Sequence, residues 1–155
     1  MVGSCWLIVK PVKIPNNDQL TTNNNMMKQY IELDVWIKAR ELASLCYEVT
    51  ESFPKEEMFG LTSQMRRSAV SIPSNIAEGC GRNTSKDTLQ FLFIARGSAY
   101  ELETQFYIAS DLNYISKEQL NIVLDKITEC KKLLNGFINY YQALQTKNQQ
   151  PSTNN

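Results

Sequence analysis

The sequence contains no histidine among its 155 residues. Histidine is the side chain that most often serves as a general acid or base near neutral pH, and its imidazole is a common metal ligand. Di-iron sites in helical bundles use Glu-x-x-His motifs, so the carboxylates of Glu101 and Glu103 do not form such a site. Serines, cysteines and lysines likewise have no imidazole to activate them as nucleophiles. The composition therefore predicts a protein that is not an enzyme and that has no catalytic residues, metal site or cofactor.

Cysteine and long apolar segments are also scarce. The four cysteines, Cys5, Cys46, Cys80 and Cys130, form no Cys-x-x-Cys pair, so the spacing typical of zinc sites and thiol redox motifs is absent. We expect them to be small buried residues or free thiols. No apolar run approaches the roughly 20 residues of a membrane-spanning helix, and the first residues do not follow a signal-peptide pattern. These absences predict a soluble, cytoplasmic protein without a membrane partner.

The charges balance, with 16 basic and 16 acidic residues, so the overall charge indicates no polyanionic partner. The length fits a single domain. Residues 1–29 and 146–155 are polar, rich in asparagine and without hydrophobic periodicity, so we expect two disordered tails. They flank a predicted folded domain over residues 30–145.

Four segments between the tails place apolar residues at alternating steps of three and four, the pattern of a helix with one buried face. The predicted helices cover about 34–53, 61–78, 86–109 and 117–144. In the third helix the apolar seam consists of Leu92, Ala95, Ala99, Leu102, Phe106 and Ala109. Because the linkers are short, neighbouring helices must run antiparallel. The predicted fold is all-α, an antiparallel up-down four-helix bundle.

Polar side chains mark the predicted helix starts. Asp34 and Ser85 are the expected N-caps of the first and third helices. Ser116 precedes the fourth helix, and Gln119 follows it three residues later, which is the spacing of a capping box.

The second helix contains a proline and ends in two glycines. Its apolar pattern continues in phase across Pro73, so we expect one helix kinked at Pro73 rather than two helices. We expect Gly79 or Gly81 to end this helix with a positive φ angle.

The charge is unevenly distributed along the chain. Residues 61–97 contain five basic and two acidic residues, whereas residues 101–129 are mainly acidic. The basic residues are Arg66, Arg67, Arg82, Lys86 and Arg96. Two uses fit this pattern: the basic segment binds the phosphates of a nucleic acid, or it pairs with the acidic segment within or between subunits.

Aromatic residues recur every seven positions on the third helix, at Phe93, Tyr100, Tyr107 and Tyr114. Such a heptad drifts by only about 20° per repeat, so these side chains form one ridge beside the apolar seam. Leu133 and Ile138 likewise lie off the predicted seam of the fourth helix. We interpret all six as a candidate subunit interface, with base stacking by the aromatic rings as the alternative.

Three sequence blocks carry a family resemblance. They are GLTSQMRR from Gly60, SIPSNIAEGCGR from Ser71 and ARGSAYELE from Ala95. From about Leu33 to Leu144 the chain resembles the 23S rRNA intervening-sequence protein family, also called the four-helix-bundle protein family. Members are encoded in some bacterial genomes within insertions in ribosomal RNA genes.

The resemblance implies a homo-oligomer, a ring of five bundles, with a ribosomal or other RNA-associated role. The family is also similar to the accessory protein of diversity-generating retroelements, a pentamer that binds nucleic acid and a reverse transcriptase. Four basic positions lie in the matching blocks, namely Arg66, Arg67, Arg82 and Arg96, whereas Lys86 is a candidate by charge alone. Two hypotheses follow: a non-enzymatic oligomer that binds RNA, or a scaffold that binds a protein such as a reverse transcriptase without binding nucleic acid tightly.

Overall fold

The computed structural model describes residues 30–149, and within this range the chain is helical with no strand. The predicted tail 1–29 and the last residues, 150–155, lie outside the described part. Four α-helices follow in order, with a short 3-10 helix, Lys55–Phe59, after the first: α1 Asp34–Thr50, α2 Leu61–Cys80, α3 Ser85–Asp111 and α4 Lys117–Gln149. Helix α4 thus continues four residues past the predicted domain boundary at 145.

The helices form a four-helix bundle, which confirms the predicted all-α fold. Each helix packs against the next one along the chain, and α1 packs against α4. Thr88 contacts Gly79 and Ser98 contacts Ser71, so the numbering falls along α2 as it rises along α3. These two helices are therefore antiparallel, while the alternation of direction through all four helices stays a prediction.

The core consists of the apolar seams that the periodicity predicts. All six seam residues of α3 are fully inaccessible to solvent, and three of them are alanines. Burying such side chains contributes about 25 cal/mol per Å² of apolar surface removed from water. Small residues at the seam also let the helices approach closely.

The helix starts differ in part from the prediction. Ser116 and Gln119 form the expected capping box: the Ser116 amide donates to Gln119 Oε1 at 2.9 Å, and the Gln119 amide donates to Ser116 Oγ at 3.2 Å. The predicted caps Asp34 and Ser85 are wrong by one residue. Both lie within the first turn, after the actual N-caps Leu33 and Thr84.

The glycines at the end of α2 also differ from the prediction. Within residues 30–149 no glycine has a positive φ angle, and Gly81 ends the helix with φ −82°. Gly79 is buried inside α2, where an added Cβ would lie 3.3 Å from both the Thr88 carbonyl oxygen and Phe91 Cβ. Gly79 therefore allows α2 and α3 to approach closely. Pro73 lies within α2, and the predicted kink there stays a prediction.

Candidate functional site

Arg66 and Arg67 lie in the second turn of α2, on the side of α1. The Nε of Arg66 donates a hydrogen bond to Thr50 Oγ1 at 2.9 Å. Its guanidinium also lies over the ring of Tyr47, 4.7 Å from the centroid, a cation–π contact. Arg66 is half-buried and held in one orientation, whereas Arg67 is exposed. Sequence reasoning found both arginines from their charge.

A groove of about 520 Å³ opens between α1 and the first half of α2. Its lining combines basic, hydroxyl and apolar side chains, namely Tyr47, Met58, Thr62, Ser63, Arg66, Arg67, Val70 and Ser71. The groove is open to solvent, since its apolar residues Tyr47, Met58 and Val70 are 45%, 56% and 42% exposed. The sequence did not predict the groove, because its walls come from α1, the 3-10 helix and α2, and no motif within any of them indicates which residues meet.

The other basic residues have different neighbours. Arg82 pairs with Glu78 and lies 4.4 Å from the ring centroid of Phe91, whereas Lys86 is exposed at the start of α3. Arg66 and the end of α2 at Cys80 are separated by 14 residues, or about 20 Å at 1.5 Å per residue. The basic residues therefore extend along the α2–α3 pair and do not form one cluster in a single chain.

Arg96 belongs to a different surface. Its guanidinium lies 4.9 Å from the ring centroid of Phe93, on the same helix. Tyr100, seven residues after Phe93, has Lys131 of α4 4.8 Å from its ring centroid. Lys131 in turn donates to both carboxylate oxygens of Glu103, at 2.7 and 2.8 Å. At Tyr100 the aromatic ridge thus borders α4.

Much of the solvent side of α3 is apolar. The side chains of Phe93, Tyr100 and Tyr107 are 39%, 51% and 49% exposed. Three aliphatic side chains extend this apolar surface, namely Ile94, Ile108 and Leu112. We call these six residues, five in α3 and Leu112 directly after it, the outer face of α3. Exposed Gly97, Glu101 and Thr104 lie between them on the same face. Large apolar side chains that recur along the exposed face of a helix are typical of a face that another protein surface covers.

Three of the six candidate interface residues lie elsewhere. Ile138 is only 2% exposed and belongs to the core, so its predicted place off the seam is wrong. The apolar stripe of a bundle helix is wide enough to include a position next to the strict seam. Leu133 is half-buried against the core, and Tyr114 donates a hydrogen bond to Glu57 and packs on Phe53.

The cysteines in the described part are free thiols. Burial raises the pKa of Cys46 and Cys130 to about 12, so both keep their protons at neutral pH. Cys5 lies outside the described residues. Within residues 30–149 no group of three His, Cys, Asp or Glu side chains has the geometry to hold a metal ion. No helix in this range has the length and hydropathy needed to span a bilayer.

The fold and surfaces define a four-helix-bundle protein with basic residues along one helix pair and an apolar face on α3. The family model described as 23S rRNA-intervening sequence protein matches residues 31–136, and the chain belongs to that family. A solved protein of unknown function from the S23 ribosomal protein family of Bacteroides thetaiotaomicron is 28% identical, with a TM-score of 0.62. That match covers 68% of this chain and 95% of the other. No curated protein matches the chain.

Proposed function

We propose that the protein is a non-enzymatic, cytoplasmic homo-oligomer with an RNA-associated role. The observation that carries the oligomer is the outer face of α3, whose exposed aromatic and aliphatic side chains resemble the core of a subunit interface. The name of the family supports the link to RNA. The resemblance described above favours a ring of five subunits.

One chain has too few exposed basic residues to bind a polyanion tightly, and assembly brings the basic residues of several chains together. In the described part of the chain, neither Arg67 nor Lys86 has a carboxylate partner. One or two exposed cations bind a polyanion weakly, but their repetition in a ring allows several phosphates to be contacted at once. The affinity for RNA would then depend on assembly as well as on the arginines.

The test is size-exclusion chromatography with light scattering, with and without a short single-stranded RNA. We expect a mass of five chains and co-elution with RNA that weakens as salt rises. Arg66→Glu/Arg67→Glu should abolish co-elution. Because Arg66 also contacts Thr50, Arg67→Glu is measured alone as well. The matched control is Lys117→Glu/Lys132→Glu, which changes the charge equally at two exposed lysines of α4 and should keep co-elution.

The role of the outer face is tested separately with Tyr107→Glu. Tyr107 is about half-exposed, so the substitution should leave the monomer folded while reducing the mass to fewer chains. Ile122→Glu on α4, at a similarly exposed apolar residue, is the control and should leave the mass unchanged. An oligomer whose elution does not change when RNA is added would instead favour the scaffold hypothesis, with a protein partner such as a reverse transcriptase. A wild-type monomer would contradict the proposed assembly.

A further inference from the structure

Arg66 is a half-buried cation without a described counter-ion. Among the described residues, no carboxylate lies within ion-pair distance of its guanidinium. Its contacts there are the Thr50 hydroxyl and the ring of Tyr47. A cation that is partly removed from water and not paired is costly unless an anion from outside compensates it.

The orientation of Arg66 is set by a buried hydroxyl. Thr50 is 2% exposed, and its Oγ1 donates to the Cys46 carbonyl oxygen at 2.8 Å. The same oxygen therefore accepts the Nε proton of Arg66. A guanidinium has five N–H donors, and this bond uses only one of them. The structure thus holds the remaining donors in place beside the groove, in the fork geometry that suits an oxyanion.

A second buried hydroxyl on the groove is without a partner. Thr62 is only 6% exposed and lines the groove four residues before Arg66. Its Oγ1 has almost no solvent-accessible surface and no hydrogen-bond partner within the described part of the chain. Buried hydroxyls are almost always bonded, so an unbonded one requires a reason. A turn of the Thr62 side chain about its Cα–Cβ bond brings the hydroxyl to the groove, where a ligand oxygen that accepts from it would supply the missing bond.

We propose that the groove between α1 and α2 is a binding site for a phosphate monoester. The guanidinium of Arg66 and the hydroxyl of Thr62 bind the phosphate oxygens, and the exposed Arg67 adds a second positive charge at the rim. The walls formed by Tyr47, Met58 and Val70 are apolar, and the groove is larger than a phosphate ion needs. They accept the organic part of the ester, which a nucleoside 5′-monophosphate or the 5′-phosphorylated end of an RNA would provide.

The proposal rests on the proposed function through the same arginine pair, but phosphate binding requires the two threonine hydroxyls as well. Binding of an RNA backbone to a basic surface depends on the number of charges and is insensitive to the loss of a neutral hydroxyl. A discrete phosphate site depends on how Arg66 is oriented and on the bond from Thr62. Substitutions of the two threonines therefore separate the two proposals, because they leave the charge unchanged.

The test measures binding of inorganic phosphate and of adenosine 5′-monophosphate by calorimetry and thermal unfolding, with chloride at equal ionic strength as reference. We expect both phosphates, but not adenosine, to bind the wild type and raise its melting temperature. Thr62→Val and Thr50→Val should each weaken binding about tenfold, since each removes or misdirects a bond to a charged group. The matched control is Thr128→Val, at an exposed threonine of α4, which should bind as the wild type does.

The melting temperature measured in chloride, without phosphate, shows whether each variant is folded. Thr62→Val replaces an unbonded buried hydroxyl by a methyl group, so it should unfold no earlier than the wild type in chloride. It should nevertheless lose the stabilisation that phosphate gives. Equal stabilisation of the wild type by phosphate and chloride, or wild-type binding by both threonine variants, would overturn the proposal.

RNA with and without a 5′-phosphate separates this proposal from the proposed function. Tighter binding of the 5′-phosphorylated RNA, lost in Thr62→Val, supports the site at an RNA end. Binding of adenosine 5′-monophosphate without any binding of RNA supports the site and contradicts the RNA role. Equal binding of both RNAs, with no binding of the monophosphate, contradicts the site and leaves the proposed function standing.

Discussion

Gly79 lies inside α2 where this helix meets α3. Thr88 Oγ1 donates to the Gly79 carbonyl oxygen at 3.0 Å, so the two backbones are close. Glycine inside a helix costs up to about 1 kcal/mol relative to alanine, and a close contact is the reason to keep it. The position shows how one residue without a side chain sets a helix–helix distance.

Gly79→Ala should therefore lower the free energy of unfolding by about 1 kcal/mol. The added Cβ would press on the Thr88 carbonyl oxygen, and the overpacking exceeds the gain in helix propensity. Gly136→Ala in α4 is the matched control, because nothing lies within 4 Å of its added Cβ. That variant should gain about 0.5–1 kcal/mol. Urea unfolding of both proteins checks the prediction, which fails if Gly79→Ala is stabilised as much as Gly136→Ala.

Arg66 shows that charge in the sequence can indicate a candidate residue without indicating its contacts. Its basic character was visible in the sequence, whereas its bond to Thr50 joins residues 16 positions apart on two helices. Nothing in either helix alone indicates this pairing, because it depends on how α1 and α2 are set against each other. The sequence therefore predicted a candidate residue but not the groove beside it.

The start of α3 is the clearest case at the scale of the element. Thr84 precedes the helix and Ser85 is its first residue, and both residues have good N-cap side chains. The structure uses Thr84, whose Oγ1 accepts from the Asp87 amide at 3.1 Å and donates to Asp87 Oδ2 at 2.7 Å. The carboxylate three residues after the cap completes a reciprocal pair of bonds that Ser85 cannot make.

Thr84→Ala should lower the free energy of unfolding by about 1 kcal/mol, the usual value of an N-cap side chain. Ser85→Ala removes the neighbouring hydroxyl, which makes no cap bond, and should change stability by less than about 0.5 kcal/mol. Chemical denaturation at neutral pH distinguishes the two variants. An equal loss in both would mean that the cap is shared or lies at Ser85.

Most of the helical architecture was predictable for a physical reason. A bundle buries one stripe of each helix, so the spacing of apolar residues carries the position and length of every helix. Ends were less accurate, since N-cap choice depends on the residue three positions later and helix α4 has no stop signal before Gln149. Ile138 was misplaced because the buried stripe is wider than a strict three-and-four repeat.

At the scale of the whole molecule, the first and last helices each contribute one buried thiol to the core. Cys46 of α1 and Cys130 of α4 are fully buried, and burial raises the pKa of each from 9.0 to about 12. Burial raises the pKa of Cys80 to about 12 as well, so the folded protein keeps three protons that the unfolded chain releases above pH 9. The associated stability is present below pH 9 and is lost as pH rises from 9 towards 12.

We expect the free energy of unfolding to fall at alkaline pH for this reason. At pH 10 each unfolded thiol lies one unit above its pKa, which favours unfolding by about 1.4 kcal/mol per thiol. Urea unfolding at pH 7 and pH 10 measures the difference, in wild type and in Cys130→Ala, with Cys5 replaced by serine in both proteins. Cys130→Ala creates a cavity, but that cost is present at both pH values and cancels in the difference. The loss between pH 7 and pH 10 should therefore be smaller by about 1.4 kcal/mol in Cys130→Ala, and an unchanged loss would contradict the role of this thiol.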